Sequence, residues 1–144
     1  MNDILKLNAI SILYAFIILI PIELMLNTYR IDRLTGMDSQ TVSTITDIAG
    51  LIIAIAGGFL AYFFSKKWLG QRKIRFWSIL LWLPYFALFQ YIIGALFPIT
   101  HGGDEISAGA GLLALGVMFL FPLYILFINI CAEGGDSHLP KQSS

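Results

Sequence analysis

Four long stretches in which nearly every position is apolar divide the chain, near residues 4–29, 45–65, 74–98 and 106–132. Each is long enough to cross a hydrocarbon core of roughly 30 Å, which takes about 20 helical residues at about 1.5 Å each. The runs are continuous rather than alternating, and four strands do not close a barrel, so helices are expected and membrane strands are not. The pattern predicts an all-α integral membrane protein, a four-transmembrane-helix antiparallel bundle. Connections of about 8 to 15 residues leave no room for a separate soluble unit, so residues 1–144 are expected to form a single membrane domain.

Within the runs, side-chain size carries the next layer of information. At about 100° per helical residue, Asp47, Gly50, Ala54, Gly57, Gly58, Ala61 and Ser65 share one narrow arc of the second run, while Leu51, Ile52, Phe59 and Phe63 occupy the rest. No hydrophobic force drives helices together in lipid, so close backbone approach through small residues has to do it. This seam makes the second run the expected packing centre, against a helix of the same chain or of a second copy. The third run aligns Ala87, Gln90 and Gly94, and the fourth aligns Ser107, Gly111, Ala114, Met118, Pro122 and Asn129. These faces are expected to point inward.

Composition agrees with the pattern: 58% of residues are hydrophobic, 12% are charged, and the mean hydropathy is +0.80. Charge adds orientation. Five of the nine Lys and Arg, namely Lys66, Lys67, Arg72, Lys73 and Arg75, lie in the connection between the second and third runs. Basic connections stay on the cytoplasmic side, and Trp68 and Trp77 flank this one as headgroup anchors do. Both termini then lie inside with Lys6 and Lys141, an N-in/C-in arrangement with only Arg30 and Arg33 outside. The expected setting is a prokaryotic cytoplasmic membrane, with the bilayer itself as a partner and anionic lipid against the basic loop 66–75. A larger basic surface would be needed for nucleic acid, so none is expected. The first run is longer than the apolar part of a secretion signal and is read as retained.

The acids collect at the other end, as Asp32, Asp38, Asp47, Asp104 and Glu105. Thr44-Ile-Thr-Asp47 matches a capping box at a helix start, and Asp47 is also placed to pair with Arg30 or Arg33. More informative is the stretch PIELMLNTYR, residues 21–30, where Glu23, Asn27 and Arg30 are spaced four and three apart on one helix face. Glu23 lies about 10 Å along the axis from Arg30 at about 1.5 Å per residue, inside the apolar zone. Ionisable groups at such depth turn inward, pair or neutralise. Three readings stand: Glu23 locks the bundle through Asn27 or a tyrosine such as Tyr91, it handles an ion, a proton or a ligand, or it simply snorkels to water. If the third run packs beside the first, Gln90 and Tyr91 reach its depth and complete an outer polar pocket of Glu23, Asn27, Arg30, Asp47, Gln90 and Tyr91.

Catalytic chemistry is thinly represented. The single cysteine, Cys131, excludes a disulfide within the chain and reads as a packing residue. Histidines occur only at 101 and 138, outside the runs, so no pair is available for haem. His101, Asp104 and Glu105 form a weak divalent-metal candidate whose alternative is a Gly-Gly turn before a helix capped by Asp104. No cofactor is expected. The function expected is that of a non-catalytic accessory, regulatory or protective partner of another membrane component, with a homo-oligomer as a further option. The alternative is a small carrier or channel with Glu23-dependent cation or proton coupling, and an enzyme is the least favoured class.

Overall fold

The computed structural model describes residues 2–70, 73–100 and 102–134, the side chain of Asp104 excepted. Among the described residues five α-helices occur: α1 (Asp3–Leu26), α2 (Thr28–Thr35), α3 (Ser39–Phe64), α4 (Ser78–Leu96) and α5 (Ala108–Gly134). A π-helical turn (Ser65–Leu69) extends α3, and a 3-10 turn (Lys73–Trp77) leads into α4. No strand occurs among the described residues. Four spans, Asp3–Leu26, Ser39–Leu69, Lys73–Leu96 and Ala108–Gly134, are long and apolar enough to cross a membrane.

Capping residues rather than hydropathy set the helix starts. Asn2 accepts from the Ile4 N–H to begin α1. This helix passes through Pro21 to Leu26, steps at Asn27 and resumes as the polar helix α2. Gly36 ends α2 at φ 70°, a left-handed conformation that L side chains adopt only with strain. Asp38 then caps α3, accepting from the Thr41 N–H at 3.1 Å and the Thr41 hydroxyl at 2.6 Å. This overturns the capping-box reading of Thr44–Asp47: α3 starts at Ser39, and Asp47 lies inside it. The apolar run begins later than the helix because hydropathy reports the solvent around a helix, not its backbone. Likewise α5 is begun by Ser107, whose hydroxyl accepts from the Ala110 N–H at 3.1 Å, and not by Asp104.

The packing centre is α1, not the helix that carries the small-residue seam. Nine residues of α1 are buried, against four in α3, three in α4 and six in α5. It lies between α3 and α4, which do not touch each other, and α5 packs against all three. Helices joined by the basic connection are therefore not neighbours, although short connections favour antiparallel neighbours. Gly50 approaches Pro21 and Gly57 approaches Ile17, so α1 and α3 are antiparallel. The bonds Asn8–Tyr85 and Glu23–Gln90 make α1 and α4 parallel, and Ala54–Tyr124 with Ser65–Asn129 make α3 and α5 parallel. Direction thus alternates along the chain.

The seam of α3 is used inside the chain. A Cβ at Gly57 would stand 2.5 Å from Ile17 Cγ1, and one at Gly58 would stand 2.7 Å from the Tyr124 hydroxyl. Ala61 is fully buried and Ala54 offers its carbonyl to Tyr124. Glycine at 57 and 58 lets α1 and α5 approach the α3 backbone. Large apolar side chains such as Phe59, Leu112 and Phe119 stay exposed around the bundle.

Candidate functional site

Where α1 and α4 end side by side, four polar residues converge. Glu23 Oε1 accepts from Gln90 Nε2 at 2.6 Å, and Oε2 accepts from Asn27 Nδ2 at 3.0 Å. Asn27 Nδ2 also donates to the Glu23 carbonyl at 2.8 Å, one turn back along α1. One turn further on, Arg30 donates from Nη1 to the Phe97 carbonyl and from Nη2 to the Pro98 carbonyl, each at 3.4 Å. The last carbonyls of a helix lack intrahelical donors, and a guanidinium satisfies them and the negative helix end together. A cavity of about 470 Å³ opens here. Its polar side is Glu23, Asn27, Arg30 and Gln90, and its apolar walls include Leu26, Ile93, Phe97 and Ile106.

Two expected members of this pocket are elsewhere. Tyr91 is 76% exposed, because the residue after Gln90 is turned about 100° away from α1. Asp47 is exposed on α3 and does not line the cavity. His101 lies outside the described residues, as does the side chain of Asp104, while Glu105 is exposed. Among the described residues no group of three or more His, Cys, Asp and Glu converges.

The opposite end of the bundle holds a polar cluster that the sequence reading did not separate from its surroundings. Arg75 belongs to the basic connection, yet it is 1% exposed. Its Nη1 donates to the Asn129 carbonyl at 3.3 Å, and its own carbonyl accepts from Asn129 Nδ2 at 3.3 Å and from the Ser78 hydroxyl at 2.6 Å. Asn129 also donates to the Ser78 hydroxyl at 3.2 Å, and Ser65 donates to Asn129 Oδ1 at 3.4 Å. Arg75 therefore ties the start of α4 to the end of α5 and is not a surface cation, whereas Lys67 and Lys73 are exposed. Arg72 lies outside the described residues. Asn8 Oδ1 accepts from the Tyr85 hydroxyl at 2.6 Å. The signal for Arg75 was its choice over lysine: a planar, weakly hydrated fork suits buried pairing better than an ammonium does.

Between the two polar ends the interior is apolar. Ile10, Ile17, Ile18, Ile22, Phe86, Phe121 and Ile125 fill it, all at 6% exposure or less. The Ser11 hydroxyl bonds back to the Leu7 carbonyl at 2.8 Å within its own helix. Tyr14 is fully buried, edge-on to Phe121 with ring centroids 6.3 Å apart, and its hydroxyl has no hydrogen-bond partner among the described residues. Glu23 is separated from Tyr14 by nine residues, about 13 Å at about 1.5 Å each, with isoleucine and leucine between.

Comparison with protein-family models, with curated proteins and with solved structures returned no match.

Proposed function

We propose that this chain is a four-span integral membrane protein of a prokaryotic cytoplasmic membrane, with both termini and the basic connection inside. In this reading it acts without catalysis, as an accessory, regulatory or protective partner of another membrane component. The observation that carries the reading is the closely packed, mainly apolar interior between the Glu23 and Arg75 ends. A carrier or channel needs a continuous line of polar groups or water along its path, and between the two ends packed isoleucine, phenylalanine and tryptophan leave only the Ser11 and Tyr14 hydroxyls. The exposed apolar exterior of α3, α4 and α5 supports both lipid contact and docking of a second membrane protein.

Two experiments test the reading. In a Cys131→Ser background, a cysteine at Lys73 should resist membrane-impermeant thiol reagents in intact cells and one at Gly103 should react; the reverse overturns the orientation. Purified protein in vesicles should pass no cations or protons above protein-free vesicles under an imposed potential. The second reading, a small carrier with Glu23-dependent cation or proton coupling, is supported by the carboxylate lining a cavity. Flux abolished by Glu23→Gln would replace the accessory reading with it.

A further inference from the structure

The Glu23 cavity has a neighbour. A groove of about 350 Å³ runs along α1 with Phe16, Ile20 and Leu24 among its lining residues and Ile93 of α4 at its edge, and its walls are almost wholly apolar. Glu23, Asn27 and Ile93 line both spaces, so cavity and groove meet along the α1–α4 seam. A polar chamber joined to an apolar trough of this size matches an amphiphile, with its head in the first and a hydrocarbon chain in the second.

The acceptors in the chamber define the head. A carboxylate offers about four lone-pair sites, and each oxygen of Glu23 takes one amide N–H, leaving acceptor capacity on both. Gln90 Oε1 is buried and accepts no hydrogen bond among the described residues. Its amide orientation follows from its neighbour: turned over, its oxygen would face the Glu23 carboxylate. Glu23 Oε1 and Oε2 thus keep acceptor positions free beside the cavity they line. A primary ammonium has three N–H donors and one positive charge. A quaternary ammonium matches the charge but donates no hydrogen bond.

We propose that the Glu23 cavity and the adjoining groove bind a membrane lipid with a primary-amine headgroup, the ammonium held by the Glu23 carboxylate that Gln90 and Asn27 fix in place, and an acyl chain along Phe16, Ile20 and Leu24. This rests on the reading that the four long helices span a membrane. The basic connection lies at the other end of the bundle, so this site is separate from any contact of Lys66, Lys67 and Lys73 with anionic lipid.

The test uses the full chain in mild detergent, with native mass spectrometry counting retained lipid. Phosphatidylethanolamine, phosphatidylcholine and phosphatidylglycerol with identical acyl chains are the probes. Wild type should retain phosphatidylethanolamine at least about tenfold better than phosphatidylcholine, the scale of a charge-assisted hydrogen bond. Glu23→Gln should remove that preference. Gly94→Phe is a second variant: a Cβ at Gly94 meets nothing within 4 Å, so the ring fills the cavity, leaves Glu23 in place and should also lower phosphatidylethanolamine retention. Equal retention of the amine and choline lipids, or a preference that survives Glu23→Gln, overturns the proposal. A preference for phosphatidylglycerol overturns it too and points to Arg30. The thiol-labelling pattern is independent of lipid retention, so failure of this site and failure of the membrane reading are told apart.

Discussion

Replacing Gly57 by alanine adds one methyl group at the tightest approach of α3 to α1. That methyl would stand 2.5 Å from Ile17 Cγ1 and 2.9 Å from Cδ1. Ile17 is 5% exposed and β-branched, so a helix holds it in essentially one rotamer and it has no room to swing aside. Overpacking of this kind costs about 1–3 kcal/mol, partly offset by the about 0.5–1 kcal/mol gained when glycine leaves a helix interior. The net loss expected is about 1–2 kcal/mol. Gly116 in α5 is the control, because a Cβ there meets nothing within 4 Å, and alanine should gain about 0.5–1 kcal/mol. The two variants should differ by about 2 kcal/mol, roughly 30-fold in the unfolding equilibrium. Titration with a denaturing detergent, followed by circular dichroism at fixed lipid content, measures the difference. Ile17→Ala should be less harmful in the Gly57→Ala background than alone, since the methyl occupies part of the space vacated. If Gly57→Ala proves as stable as Gly116→Ala, the close packing of α3 on α1 is refuted.

Three further outcomes are expected. Glu23→Leu should cost about 1–3 kcal/mol by leaving the Gln90 amide without its acceptor, and Glu23→Gln should cost less; equal losses in the same titration would mean that the hydrogen bond contributes nothing. Asn129→Leu should cost about 1–3 kcal/mol, because the Arg75 carbonyl and Ser78 lose buried partners, and should raise amide exchange at the start of α4; unchanged exchange there would remove Arg75 and Asn129 as the tie between α4 and α5. The Asp38 carboxyl is held below the usual aspartate range by the hydrogen bond from the Thr41 side chain and then by that from its N–H. Its contribution should be complete above the ordinary aspartate pKa and lost as pH falls through the lower folded value. Asp38→Asn, which caps without titrating, should flatten that part of an acid stability profile, and parallel profiles would refute the cap.

The number and type of long helices were legible in the chain because four continuous apolar runs separated by short polar connections admit few other arrangements. The small-residue face of α3 was legible for the same reason: Gly50, Gly57 and Gly58 recur at helical spacing, and absent side chains signal close approach whatever the partner. The pairing of Glu23 with Asn27 followed from an interval of four on one helix. Which helix stands at the centre was not legible. A helix surrounded by other helices and one surrounded by lipid are both apolar all round, so the isoleucines of α1 look alike in either place. Only the assembled bundle decided that α1 separates α3 from α4, that Gln90 rather than Tyr91 meets Glu23, and that Arg75 leaves the basic connection to be buried against Asn129. Each of these depends on the rotation and crossing of helices far apart in sequence, which hydropathy along one chain does not encode.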